Sequence, residues 1–298
     1  MPIEHRLSPN DAMFLYGETD ENMMHVASLM RFARPKGASP HMLRDLIEEV
    51  YADRTLGPPW NMKLKHPKFL RHPAPSWVET PEVDVEYHVR RSGLPSPGGE
   101  RELGMLVSRL HGLRVDFGRP PWETHLIEGL ANGEFGLYTK MHHALIDGFT
   151  GSRILASSFS TDPKERTGLF FDQPRPGGTR KRHKKSPWRR QFEKVWTQIQ
   201  AAGEVAGTLR ELAEALVSGD SDLSGGLQAP MSILNGRIGR NRRFATQQFD
   251  LARLKSLAHA AGGTLNDLVL AMGSGGLRRF LLELGQLPSR PLVAMLPV

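Results

Sequence analysis

The chain has 298 residues, with 39 lysines and arginines against 32 aspartates and glutamates (formal net charge +7), 39% hydrophobic and 24% charged residues, and no cysteine. This describes a globular protein with room for two domains of ordinary size, and it excludes a disulfide framework, a thiolate metal site and a cysteine nucleophile. The first residues lack the basic start and apolar stretch of a signal peptide and no apolar run approaches the roughly 18 residues of a membrane span, so the sequence predicts a cytoplasmic protein, while the surplus of cations favours an anionic partner.

Strands and helices alternate through the first part. Ser8 is placed to cap a short helix running from Asp11 to Tyr16. Residues 24–32 read as a strand. Pro40 opens a helix in which Leu43, Leu46, Ile47 and Val50 follow a 3.6-residue period. Short strands are expected near Trp77 and Val85, and the Pro/Gly run at 94–99 breaks the chain. Leu103, Leu106, Leu110 and Leu113 then share one helical face. Strands at 122–127 and 135–141 flank Asn132 and Gly133, a turn signal that makes them a hairpin.

Beyond Asp162 the texture changes. Pro174, Pro176, Gly177 and Gly178 read as a linker, followed by a basic run of Arg180, Lys181, Arg182, Lys184, Lys185, Arg189 and Arg190. Trp188, Phe192, Val195, Trp196 and Ile199 recur at helical spacing, and that helix extends towards Leu216. After a loop at 218–226 come a strand over 243–249, a helix over 251–261 and a longer helix over 265–284 capped by Thr264. Residues 291–298 read as a buried strand with nothing after it, so an incomplete second domain is expected. The organisation is a first domain over 1–175, a basic linker and crossover helix over 176–225, and the beginning of a second domain over 226–298.

The segment from Met141 to Gly151 carries the chemistry. It leaves a strand and enters a helix near Gly148, a residue that permits a tight bend. Side chains alternate along a strand, so Phe135, Leu137, Thr139, Met141 and His143 are expected on one face and His142 on the other. Asp147 follows across the turn, where pairing with an arginine or with backbone amides would fix the bend. A histidine in that place suits general-base work on a hydroxyl, because its ordinary pKa of about 6.5 lets it take and return a proton near neutrality. Spacing alone leaves two other readings open: adjacent histidines that only pack, and a metal site, although imidazoles at consecutive strand positions diverge and no third ligand stands nearby. His25, His88 and His125 read as structural. Asn266 and Asp267 suit either the first turn of their helix or, for Asn266, an active-site role. The stripe from Trp188 to Ile199 suits a domain-packing helix or a membrane-interface helix.

His142-His143-Ala-Leu-Ile-Asp147-Gly148 resembles the HHxxxDG motif of the coenzyme A-dependent acyltransferase superfamily, which includes chloramphenicol acetyltransferase and peptide-synthetase condensation domains. Flanking segments narrow the resemblance to the bacterial wax ester synthase/diacylglycerol acyltransferase family. They are Leu7-Ser-Pro-Asn-Asp-Ala12 with Phe14-Leu15, Met24-His25-Val26, Leu94 to Gly98, Arg119-Pro-Pro-Trp-Glu123 with Gly129-Leu130, Asn266-Asp267, and the closing stretch from Pro291. One departure is Pro120-Pro121-Trp122, where the family has Pro-Leu-Trp. Another is length, since family members are much longer.

The resemblance implies an α/β fold of the chloramphenicol acetyltransferase type, a two-layer sandwich with an incomplete C-terminal domain. It implies transfer of a fatty acyl group from acyl-CoA, the co-substrate, to a long-chain alcohol or diacylglycerol, with no cofactor and no metal. His143 would be the general base, His142 auxiliary, Asp147 the residue that orients the loop, Gly148 the turn and Asn266 an oxyanion donor. Lipid substrates imply an anionic membrane or lipid-body surface as partner, at the inner face of the cell membrane, and no nucleic acid. A different acceptor, or a catalytically silent lipid-binding remnant, are the alternatives.

Overall fold

The structure, a computed structural model, describes residues 3–52, 56–146, 150–151, 154, 158–162 and 229–294. They fall into two units, divided along Met1–Gly178 with Ile238–Gln247, and Thr179–Arg237 with Gln248–Val298. The linker, the basic run and the crossover helix lie outside the described residues.

The first unit is organised around one strand. β1 (Glu4–Arg6) leads to α1 (Pro9–Tyr16), where the Ser8 hydroxyl accepts from the Asp11 amide as its sequence position foretold. β2 (His25–Ala33), α2 (Met42–Ala52), β3 (Met62–Leu64), β4 (Ser76–Glu79), α3 (Val85–His88), β5 (Val89–Gly93), α4 (Glu100–His111), β6 (Trp122–Glu128) and β7 (Glu134–His142) follow. β6 and β7 form the expected hairpin, and Asn132 (φ 62°) and Gly133 (φ 71°) both take the left-handed conformation that so short a reversal needs. β7 also pairs antiparallel with β2 along its whole length, from His25 opposite His142 to Ala33 opposite Glu134. With β5 parallel to β6, the four-stranded order is β2-β7-β6-β5; a smaller antiparallel sheet runs β1-β4-β3.

Alternation along β6 and β7 sends successive side chains to different cores. Leu126 and Met141 pack with Leu43, Ile47 and Val50 of α2. Ile127 and Tyr138 pack with Leu103, Leu106, Val107 and Leu110 of α4. A third cluster joins Leu15 of α1 to Met62, Leu64 and Trp77 of the small sheet and to Val115, Phe117 and Ala144. The turn after β7 therefore emerges where two cores meet, since Leu145 packs against both the first and the third.

Four local expectations need correction. Val85 opens a helical turn instead of a strand, because the Asp84 carboxylate accepts from the Tyr87 amide and caps it; the strand begins at Val89. Leu113 lies past the end of α4 and is 53% exposed, while Val107 completes the buried stripe. Residues 243–249 form no strand. The segment Ile238–Gln247 belongs to the first unit and follows α4. A Cβ on Gly104 would come within 2.7 Å of the Phe244 carbonyl oxygen, one on Gly112 within 3.3 Å of the Arg240 carbonyl, and the Thr246 hydroxyl donates to Glu100. Its backbone lies against a helix, not beside a sheet edge, so β-type residues there find no ladder. Residues 291–294 are irregular, and 295–298 lie outside the description.

In the second unit the Asp250 carboxylate accepts from Arg253 N and caps α5 (Leu251–Ala260). α6 (Leu265–Glu283) opens with a reciprocal box, Thr264 accepting from the Asp267 amide while Asp267 accepts from the Thr264 amide. That is the helix-start role allowed for Asp267.

Candidate active site

β7 ends at His142, and His143 begins the turn. The expected row of alternate side chains therefore stops at Met141, which packs in the α2 core. His143 leaves the pleat: its amide donates to the Met24 carbonyl at 2.9 Å, and its ring stacks on Phe14 of α1, centroids 3.8 Å apart and planes 18° apart. The His143 ring is half-buried, and its Nδ1 is enclosed without a hydrogen-bond partner among the described residues.

His142 differs in almost every respect. It is fully buried, its ring edge against Phe117 at 4.9 Å. Nδ1 accepts from the Ala144 amide at 3.1 Å. An acceptor at Nδ1 leaves the proton of the neutral ring on Nε2, and Nε2 lies 3.5 Å from Oε2 of Glu18, an electrostatic contact longer than a good hydrogen bond. Burial pulls the pKa of His142 below its ordinary value, outweighing the pull of Glu18 in the other direction, so the imidazole is neutral at neutral pH.

Glu18, in the loop after α1, also has a fully buried side chain. Oε1 accepts from Arg114 Nε at 2.9 Å, and Oε2 accepts from the Met24 amide. Burial opposes its ionisation, but contacts from His142, Met24 and Arg114 together hold the carboxyl below the usual range. Because His142 is neutral, Arg114 supplies the countercharge. Arg114 also donates to Asp20 at 3.1 Å and lies over the Phe117 ring.

A second buried polar group stands behind the first on β7. Lys140 is fully buried and makes three contacts of 2.7 Å, with the carbonyl of Leu110 in the last turn of α4, with that of Leu113 just beyond it, and with Glu123. Three donors meet three acceptors, and the cation sits where a helix C-terminus favours one. Burial opposes the charge on Glu123, but His125 and Lys140 hold its pKa down at about 2.

Three other histidines, His25, His88 and His125, are each bonded within the fold. His25 Nε2 bonds the His111 carbonyl at 2.8 Å, His88 Nδ1 the Trp122 carbonyl at 2.7 Å, and His125 Nδ1 the Ser92 hydroxyl at 2.9 Å. Asp147 and Gly148 lie outside the described residues. Asn266 is exposed on the first turn of α6, in the second unit. Sequence reasoning missed Glu18, Phe14 and Arg114 as neighbours of the histidines. Phe14 stood in a segment quoted for resemblance, but a loop glutamate and a loop arginine carry no periodic signal. Among the described residues no group of three or more His, Asp or Glu is placed to hold a metal, and no helix is long and apolar enough to cross a membrane.

A buried, neutral histidine stands beside a clamped, half-buried one at the end of a central strand in a mixed α/β unit. The wax ester synthase/diacylglycerol acyltransferase catalytic-domain family matches residues 7–269, and the chain belongs to that family. A Mycobacterium tuberculosis protein carrying the name of a diacylglycerol O-acyltransferase is 46% identical, over 98% of this chain and 65% of its own length. An O-acyltransferase of Acinetobacter baylyi is 34% identical, over 98% of this chain and 62% of its own. The solved wax ester synthase/diacylglycerol acyltransferase of Marinobacter aquaeolei VT8 superposes with a TM-score of 0.74 at 33% identity, covering 99% of this chain and 65% of that one. The mixed α/β class expected from the sequence is thus the class observed. The chain spans 62 to 65% of the length of these relatives.

Proposed function

We propose that this chain carries the catalytic half-site of an acyl-CoA-dependent O-acyltransferase, with His143 as general base and a long-chain alcohol or diacylglycerol as acceptor. The observation that carries the reading is the pairing of opposites at the motif. His143 is held through its main chain by Met24 and across its ring face by Phe14, and its Nδ1 has no hydrogen-bond partner among the described residues. His142 is spent on structure.

In this mechanism the acceptor hydroxyl approaches the His143 imidazole as its oxygen attacks the thioester carbonyl. The hydroxyl proton passes to the ring, the new C–O bond forms, and the carbonyl electrons move onto oxygen. That oxyanion needs a preorganised donor. Collapse breaks the C–S bond, and the imidazolium returns the proton to the coenzyme A thiolate. No acyl-enzyme is required. The basic run at 180–190 is the proposed attachment to an anionic surface, where each cation contributes up to about 1 kcal/mol; its glutamine variant should lose sedimentation with anionic vesicles, and unchanged sedimentation refutes the attachment.

The test is turnover of palmitoyl-CoA with hexadecanol, with diolein and with an amine acceptor, following release of coenzyme A with a thiol reagent; the chain has no cysteine to add background. Transfer to either lipid hydroxyl, lost in His143→Ala, is expected. Transfer only to the amine, or full activity in His143→Ala, overturns the reading.

A further inference from the structure

We infer that Glu18 is a positioning residue for the acyl transfer: it anchors both histidines of the turn through Met24 and the His142 ring, and so sets where His143 stands. The inference rests on the reading of His143 as base. A buried carboxylate needs partners for its charge, and its partners here converge on one purpose. Oε2 accepts from the Met24 amide while the carbonyl of the same residue accepts from the His143 amide. Fixing one peptide flank of Met24 thereby fixes the other. Oε2 also faces the Nε2 proton of His142 at 3.5 Å, and the Nδ1 of that ring accepts from Ala144. Residues 142, 143 and 144 are thus each connected to one carboxylate, which Arg114 fastens from its other oxygen. Among the described residues Glu18 makes no hydrogen bond or ion pair with His143, and its side chain is fully enclosed, so it does not touch substrate.

The arrangement tolerates only an acceptor at both carboxylate oxygens. In Glu18→Gln the amide nitrogen must replace one of them. Facing Arg114, it opposes a donor. Facing Met24 and His142, it opposes the Met24 amide and favours the ring tautomer with its lone pair on Nε2, which moves the single ring proton to Nδ1, against the Ala144 amide. The first orientation leaves the conflict at Arg114; the second carries it to the turn. Charge loss alone at an enclosed structural carboxylate would change stability without changing which nitrogen of His142 carries the proton.

Glu18→Gln is therefore compared with the unsubstituted chain and with His143→Ala by three readouts: the 15N ring shifts of His142, and kcat and KM for palmitoyl-CoA with hexadecanol. The expected result is loss of the Nε2–H signature and a fall in kcat of up to about 100-fold, the cost of a misplacement of about 1 Å, with KM unchanged. A retained signature with unchanged kcat overturns the proposal, and so does a changed signature with unchanged kcat. If Glu18→Gln does not fold, Glu18→Asp carries the test, since it keeps the charge but draws it back by one methylene from His142. The same changes at smaller magnitude are expected, and wild-type values of signature and kcat overturn the proposal. Full activity in His143→Ala would instead show that the base is wrong, a failure separable from an inactive His143→Ala beside an unaffected Glu18→Gln.

Discussion

Lys140 and His142 are two positions apart on the same strand, and both are fully buried, yet their surroundings are opposites. The ammonium of Lys140 is saturated, its three contacts all at 2.7 Å. The imidazole of His142 keeps one good bond and a loose 3.5 Å contact, and the next residue has a buried ring nitrogen with no partner among the described residues. A saturated polar group inside a fold has nothing left to give a substrate and serves to fix a helix end to a strand. An unsaturated one carries an energetic penalty that packing alone would have removed. Along β7 and into the turn after it, a saturated cation gives way to imidazoles whose ring nitrogens are incompletely satisfied.

Substitutions sharpen the contrast, beginning with the largest expected effect. His143→Ala should lower kcat by about 10²- to 10⁴-fold, the usual worth of a general base, while its melting temperature stays near that of the parent. His142→Ala should show the reverse emphasis, a clear fall in melting temperature with a smaller loss of kcat. Equal losses of activity in two folded variants would erase the distinction between the rings.

Lys140→Met should cost about 3–5 kcal/mol in urea unfolding, since it strands Glu123 in the core, and adding Glu123→Gln should restore part of it. A cost near zero would mean that saturation is not what Lys140 contributes.

Acid tests the packing histidines. His25 and His88 have pKa values lowered to about 4, burial being the main cause. The unfolded chain binds protons first, near 6.5, so their contribution is complete above that pH and is lost as pH falls from about 6.5 to 4. Each shift corresponds to an upper bound of about 3 kcal/mol, read from urea midpoints across that window. A flat profile there would contradict neutral burial.

The smallest effect is expected from Gly104→Ala, whose Cβ would meet the Phe244 carbonyl at 2.7 Å. Displacing the segment from α4 should cost about 1–3 kcal/mol and leave the His142 ring signature unchanged. A changed signature would join the two regions that the comparison separates.

Much of this arrangement could be read from the sequence, for identifiable reasons. The hairpin was marked by Asn132 and Gly133, and the helices by periodic leucines and by Ser8 and Thr264. These are local signals. The distinction between His142 and His143 was anticipated from alternation, but the physical cause is different: the strand ends between them. Glu18 and Arg114 were invisible because they come together from loops distant in sequence, Glu18 against His142 and Arg114 against Glu18. The segment over 243–249 misled because β propensity describes a side chain, whereas its surroundings are set by a glycine far away on α4. Val85 misled because a single cap at Asp84 outweighed its preference for a strand.

The pairing of β7 with two neighbours of very different sequence distance has a kinetic consequence. β6 is joined to β7 by a short reversal, while β2 must close a long loop to bring His25 opposite His142, and loop closure entropy disfavours that step. The hairpin is expected to form in the folding transition state and the β2 ladder after it, so substitutions at Thr124 and Thr139 should slow folding while those at Val26 and Ser28 should mainly speed unfolding. Met24 and Glu18 arrive with β2. His142 and His143 are therefore expected to acquire their final surroundings in the closing steps of assembly, and a nascent chain carrying the whole motif holds them in place only once β2 docks.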